Sequence, residues 1–539
     1  MPITDQELID AAIGHGLVSN EQFLNAQKSS RQSRTALLDT IVSSCRIPRR
    51  SFYHAVSLQR NIPFVDLARC QIAVDLISSL PDIAYQRGII PIIDDEGEIL
   101  LATYGVDDLA SISAVQRNLN INADVALADP EAILDAVGRI QAIRSNGATS
   151  GDSVESATSL LDRIINEAYL RRASDIHVEP IDDHLQIRLR VDGMLQVYIR
   201  AIPSDLGHAL TTRIKVLAEL DIAERRAPQD GRILYGLENG LDQSMRIAVI
   251  PTRYGERVTI RLLSDSNEQL TLTNLGLLDN DLEAFRQAIR RPFGIILLTG
   301  PTGSGKSTTL YSALREINDG TRNIMTVEDP VEQLITGISQ VQVGGTDKIN
   351  FSSALRSLLR HDPDVMMVGE IRDLDTADIS LKAALTGHLV FSSLHTNTAI
   401  GAVTRLMDFG CEPYLVGATL AGSIAQRLVR RLCAHCREEA VPNEAQQPVM
   451  SEYEIETIYT STGCPHCIGT GYHGRIGLFE CFWTDDTTQQ MISNQESEVA
   501  IREYAQANHT SLLADGIKKV ALGITSLDEM LRATIGGVN

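Results

Sequence analysis

Gly300, Pro301, Thr302, Gly303, Ser304, Gly305, Lys306 and Ser307 together spell G-x-x-x-x-G-K-[ST] without a substitution. Glycines at these positions let the backbone approach phosphate oxygens, and the lysine brings a point charge to the β- and γ-phosphates. The serine hydroxyl can ligate a magnesium ion that keeps most of its water. The apolar run GIILLT precedes the loop and a helical pattern follows, with Thr308 and Thr309 expected to open the helix. A strand before and a helix after aim backbone N–H groups and the positive helix end at one anion. A chance glycine turn lacks that setting, so residues 300–308 predict ATP binding with Mg²⁺.

Two more strands in the same stretch end in acids. NIMTV runs into Glu328, and VMMV runs into Gly369-Glu370. Phosphoryl transfer to water needs one carboxylate to polarise the attacking water and another to help hold the metal ion, and these two acids, with Lys306, are the catalytic candidates. An isolated acid after a strand more often caps a helix or faces solvent, but the phosphate loop upstream reverses that reading. GHLVFSSLHTN sets His388 before a strand and His395 after it. An imidazole at a strand end can sense a γ-phosphate by hydrogen bonding or serve as polar packing.

Four of the eight cysteines form two C-x-x-C pairs, Cys433 with Cys436 and Cys464 with Cys467, separated by 27 residues. Each pair can supply two thiolates from one tight turn, and tetrahedral Zn²⁺ is the expected ion. Glycines 469, 471 and 474 suit a knuckle too small to fold without metal, so a structural role is expected. A redox pair is the alternative, with His435 and His466 as spare ligands. The acidic insert REEAVPNEAQQP is expected to bulge out as a loop.

The elements that must position these groups read as a multidomain α/β chain. Residues 1–143 look like a mostly helical accessory domain, with one hairpin turning at Asp94-Asp95-Glu96-Gly97. A Gly/Ser/Thr-rich connector covers 144–156. Residues 157–278 read as a small α+β domain. It opens with a helix whose face is Leu160, Leu161, Ile164, Ile165 and Ala168, continues through HLQIRLRVDGMLQVYI, and has a second helix near Ile214 to Ile222. Over 279–430 short apolar runs alternate with helical patterns, which implies a mostly parallel sheet covered on both faces. The cysteine element follows at 431–475 and a helical remainder at 476–539.

At 539 residues the chain exceeds one core, and 43% hydrophobic with 22% charged residues is ordinary for a folded globular chain. The longest apolar runs are far short of the roughly 20 residues a bilayer span needs. Acids stand near the N-terminus where a secretory signal has basic residues, so export is not expected. A net charge of -21 opposes nonspecific nucleic-acid binding, and no nucleic-acid partner is expected.

GPTGSGKSTTLY, TVEDPVE, LRHDPDVMMVGEIRD and TGHLVFSSLHTN resemble, in order and spacing, the Walker A, Asp box, Walker B and His box of the ATPases that drive type II secretion and type IV pilus assembly. ASDIHVEP, RLRVDG, APQDGRI and IPTRYGERVTIRLL extend the resemblance upstream, so it spans roughly 155–539; Ala227 replaces the family's usual leucine. The resemblance implies a RecA-like P-loop domain preceded by a PAS-like α+β domain. It also implies Glu328 as catalytic carboxylate, Glu370 as Walker B acid, and His388 and His395 as the His-box pair. Arg246 and Arg261 match arginines that reach nucleotide phosphates across a domain or subunit boundary. It further implies the tetracysteine zinc element and a cytoplasmic homo-hexamer, peripherally associated with the inner membrane. There it would meet a membrane platform and cytoplasmic docking proteins. RRSFYHAVSLQRNIPFVDL resembles the family's accessory domain, which binds cyclic di-GMP in some relatives. The Arg-Leu-Gly start of that motif is missing, Arg34-Thr35-Ala36 being the nearest match, so such binding is not expected. Shorter retraction-type motors generally lack the cysteines. A nucleic-acid or type IV secretion translocase and a nonhydrolysing nucleotide binder are the competing readings.

Overall fold

The computed structural model describes residues 3–534 apart from 68–69, 95–96, 145–155, 238, 264–270, 345–349, 445 and 506–509. Apart from the loop at 462–471, two compact units meet in sequence at Asp265 and Ser266.

The first unit begins with helices Asp5–Gly14, Asn20–Ser33, Leu37–Cys45 and Arg49–Arg60. Ser19 and Gln22 form a capping box at the start of the second helix, satisfying two otherwise orphaned N–H groups. A four-stranded sheet follows in the order β1 (Gln71–Ile72), β2 (Ile89–Ile93), β3 (Ile99–Thr103) and β4 (Asp124–Leu127). β2 and β3 are the expected antiparallel hairpin, although Asp95 and Glu96 of its turn lie outside the described residues. The connector expected at 144–156 lies, but for its two end residues, outside them too.

Helix Ala157–Leu170 buries Leu160, Leu161, Ile164, Ile165 and Ala168, the face expected from their spacing. It packs on an antiparallel sheet made of β5 (Asp175–Ile181), β6 (His184–Val191), β7 (Met194–Pro203), β8 (Gln229–Gly236), β9 (Asp242–Thr252) and β10 (Gly255–Leu262). The strand order is β7-β6-β5-β10-β9-β8. The second helix, expected near Ile214 to Ile222, instead spans Ser204–Leu217. It starts directly after Pro203, and Glu219 at φ 57° turns the chain left-handed just past its end.

The second unit is built on a seven-stranded sheet: β11 (Gly294–Thr299), β12 (Ile324–Glu328), β13 (Ser339–Gln342), β14 (Val365–Val368), β15 (Leu389–Leu394), β16 (Leu420–Leu432) and β19 (Tyr472–Trp483). Its order is β13-β12-β14-β15-β11-β16-β19, parallel except for the β16–β19 pair. Along β11, Ile295 and Leu297 enter one core while Ile296 and Leu298 enter the other, so helices cover both faces. Burying such residues on both sides fixes the strand ends rigidly, and those ends carry the chemistry.

Between β16 and β19 the chain makes a small ribbon of β17 (Arg437–Ala440) paired with β18 (Ile458–Ser461). The insert expected to bulge as a loop is therefore partly strand, followed by a short helix at Gln447–Glu452. Cross-strand bonds satisfy its backbone donors, which a bare loop would leave to water. β16 runs through residue 430 and β19 through residue 475, so the cysteine element is an excursion between two paired strands. No described helix is long and apolar enough to cross a membrane.

Candidate active site

Glu328, Glu370, His395 and the phosphate loop all sit at the carboxyl ends of the parallel strands, where open α/β sheets collect their ligands. The loop leaves β11 and becomes helix Lys306–Ile317. That helix starts at Lys306, two residues before the expected Thr308, because Gly305 at φ 91° already turns the chain. Gly300 stands at φ 141°, and a Cβ there would lie 2.5 Å from the Gln426 carbonyl oxygen; one at Gly305 would lie 2.7 Å from Gln426 Nε2. Only glycine fits either place. The buried Ser304 hydroxyl has no hydrogen-bond partner among the described residues, which leaves a donor for an incoming anion.

Lys306 Nζ donates to the carbonyls of Gly300 at 2.8 Å and Pro301 at 3.1 Å. Burial pushes its ammonium below the ordinary lysine value, with Glu370 opposing that shift. Ser307 and Thr308 are exposed on the first helical turn. A cavity of about 290 Å³ opens beside Pro301, Thr302, Gly303 and Ser304, bounded by Arg427 and Arg532. Arg427 is held by Asn397 at 2.9 Å. Neither arginine was legible as a site residue, since both reach the loop from elements more than 100 residues away in sequence.

Glu328 ends β12 and is 4% exposed. Its Oε1 accepts from Thr326 Oγ1 at 2.6 Å and Gln340 Nε2 at 3.0 Å, and its Oε2 accepts from the Tyr311 hydroxyl. Burial, then Glu328 itself, pushes the Tyr311 phenol well above its ordinary value, so it stays a donor. Glu370 follows β14 and is held by a guanidinium and an imidazole: Arg372 donates to Oε1, and His395 Nε2 lies 3.3 Å from Oε2. Burial raises the Glu370 carboxyl, but Arg372 and then His395 outweigh it and hold it below the usual carboxylate range.

His388 is not part of this group. It precedes β15, and seven residues at about 3.3 Å each put it roughly 20 Å from His395, at the opposite end of the same strand. There its Nδ1 lies 2.9 Å from the Ala383 carbonyl, closing a helix end. Parallel pairing of β15 with β11 sends the two histidines to opposite edges of the sheet.

Arg246 on β9 and Arg261 on β10 belong to the first unit and face each other across the strand pair. Arg261 Nε bonds Asp175 at 2.9 Å, and the buried Arg246 Nε has no partner among the described residues. A single row crosses five strands as Arg190, Asp175, Arg261, Arg246 and Arg232. Like charges placed opposite one another are unfavourable unless an anion joins them.

The sulfurs of Cys433, Cys436, Cys464 and Cys467 all lie within 4.8 Å of one another. Cys464 and Cys467 Sγ are 3.8 Å apart, matching the edge of about 3.8 Å that Zn–S bonds of 2.3 Å give a tetrahedron. N–H groups of Cys464 and Gly471 donate to Cys467 Sγ at 3.1 and 3.2 Å, favouring a thiolate. Neither His435 nor His466 joins the cluster. The donor set fits one zinc ion.

Comparison with known proteins gives a consistent result. The type II/IV secretion system protein family matches residues 151–532, and the MshEN domain matches 60–147. The type II secretion system ATPase E of Vibrio cholerae is 48% identical over 377 residues, 70% of this chain and 75% of that one. The type IV pilus assembly ATPase PilB of Myxococcus xanthus is 36% identical over 555 residues, 97% of this chain and 98% of its own. The Legionella pneumophila ATPase DotB shares the fold, with a TM-score of 0.54 at 22% identity over 72% of this chain and 98% of that one. With the phosphate loop and its two acids at the ends of a RecA-like sheet, the chain belongs to the type II/IV secretion system protein family, alongside ATPases of type II secretion and type IV pilus assembly.

Proposed function

We propose that this chain hydrolyses ATP with Mg²⁺ as a homo-hexameric motor for type II secretion or type IV pilus assembly, docked on the cytoplasmic side of the inner membrane. The observation that carries the reading is the set of Lys306, Ser307, Glu328 and Glu370 at or beyond the carboxyl ends of parallel strands β11, β12 and β14 of one sheet. Residues 300–308 would bind the phosphates, Lys306 would leave its two carbonyls to meet them, and Ser307 with Glu370 would hold the magnesium ion or its waters. Glu328 would take a proton from the attacking water. Arg246 and Arg261 would answer to charge on the phosphates across a domain or subunit boundary, so that hydrolysis changes domain orientation. The proposed divisions of the chain are those at 143, 156, 278, 430 and 475. A zinc ion on the four cysteines would tie the excursion after β16 into one folded piece.

Steady-state ATPase activity of the full chain tests this beside Lys306→Ala and Glu328→Gln, with zinc assayed on the same samples. Turnover lost by about 100-fold or more in both variants is expected, with about one zinc per chain. A wild type that binds ATP and never turns it over, even assembled with a membrane partner, would replace this reading with a nonhydrolysing nucleotide binder.

A further inference from the structure

Two of the groups that hold Glu328 belong to its own sheet and one does not. Thr326 lies two residues back on β12, on the same face, and Gln340 is its partner across the β12–β13 pair. Gln340 is itself pinned, its Nε2 also donating to the Gln333 carbonyl at 2.9 Å and its Oε1 accepting from Ile335 N–H at 2.7 Å. Oε1 of Glu328 thus accepts two bonds from fixed donors and has no lone-pair direction left. Among the described residues Oε2 accepts one, from Tyr311, and has a second lone-pair direction without a donor. That difference separates the two oxygens: one is a fixed hinge for the carboxylate and the other can take a proton.

Tyr311 comes from the helix that the phosphate loop opens. It lies four residues after Ser307, on the same helical face. The ring is 2% exposed in the apolar core under the sheet, and its oxygen accepts from Glu332 N–H at 3.2 Å. The phenol is therefore held at both ends, by packing and by the segment after β12. It joins the helix that the phosphate loop opens to Oε2 of Glu328.

We infer that Tyr311 is a positioning residue for hydrolysis: its hydroxyl holds Glu328 Oε2 in line to accept the proton of the attacking water, while Thr326 and Gln340 anchor Oε1. In that step the water O–H bond breaks and its proton goes to Oε2. The water oxygen bonds to the γ-phosphorus and the bond to ADP breaks. Tyr311 keeps its own proton throughout, in accord with a phenol held far above its ordinary value. The inference rests on the reading of Glu328 as the base.

Tyr311→Phe removes the hydroxyl and keeps the packed ring. The full-length variant is compared with wild type, Glu328→Gln and the double variant for kcat, KM for ATP, and Mg·ADP affinity by calorimetry. Expected is a fall in kcat of about 10- to 100-fold, with KM and ADP affinity within about twofold, and no further fall when Glu328→Gln is already present. Thr326→Val, which deletes one Oε1 donor at nearly constant shape, gives the same kcat-only loss. Unchanged kcat in Tyr311→Phe, a matching loss of ADP affinity, or multiplying losses in the double variant would overturn the positioning role. If Glu328→Gln alone turns over like wild type, the assignment of Glu328 as base falls, and this inference with it.

Discussion

Glu328 and Glu370 end neighbouring strands of one sheet and are held by opposite means. Glu328 is buried among neutral donors, Tyr311, Thr326 and Gln340. Glu370 is less enclosed and rests on Arg372 and His395. A carboxylate fixed by neutral hydrogen bonds is oriented without an ion pair to compete for its oxygens, which suits a base. One beside a guanidinium is kept anionic, which suits a group that meets a metal ion's waters. Position in the sheet makes both acids candidates, and their surroundings fit the different work proposed for each.

The sharpest way to break this comparison is truncation. Glu328→Ala strands the buried Tyr311 and Thr326 hydroxyls and one N–H of the half-buried Gln340, and each unsatisfied buried group costs about 1–3 kcal/mol. A loss of about 2–4 kcal/mol is expected after partial relaxation, read as a lower urea midpoint at unchanged slope. Glu370→Ala leaves Arg372 and His395, which are 63% and 50% exposed, to solvent. Its expected cost is below about 1 kcal/mol. Equal destabilisation by the two variants would mean that the two acids are held alike.

The histidines that flank β15 extend the contrast. His388→Ala removes a 2.9 Å bond to the Ala383 carbonyl at a helix end and is expected to cost about 1 kcal/mol. His395→Ala removes a longer, half-exposed contact and is expected to stay within about 0.5 kcal/mol in the same denaturation assay. A stability loss at His395 larger than at His388 would reverse the roles given by their positions.

How much of this was legible depended on sequence distance. The phosphate loop, the two acids and the cysteine pairs are each written in a few adjacent residues, and local spacing implies local geometry. Helix Ala157–Leu170 was readable because its buried face repeats at helical period. Tyr311, Thr326 and Gln340 carry no mark of their own. They become partners of Glu328 only when a helix packs under β12 and β13 pairs beside it. The register of β15 likewise decided which histidine stands near the loop, a matter of strand direction that GHLVFSSLHTN does not state. β19 went unread as a sheet strand because the cysteine excursion separates it from its antiparallel partner β16.

Arg372→Ala is expected to have the smallest effect and to sharpen the comparison through pH. Burial alone raises the Glu370 carboxyl, and Arg372 is the first of the groups that reverse this. Because its folded value lies below the ordinary glutamate value, the Glu370 pairing contributes stability fully above that ordinary value and loses it as pH falls through the lowered folded value. Without Arg372 the folded value moves back up, so the variant loses stability at higher pH than wild type does. The difference should stay below about 0.3 kcal/mol, since the arginine is mostly exposed, and should shrink when salt is raised to about 0.5 M. Denaturation midpoints between pH 3 and pH 7 at two salt concentrations measure it. Tyr311→Phe removes a neutral donor from Glu328, so its stability loss at pH 7 should show no such salt dependence. A salt-sensitive loss in Tyr311→Phe and none in Arg372→Ala would exchange the electrostatic characters of the two acids.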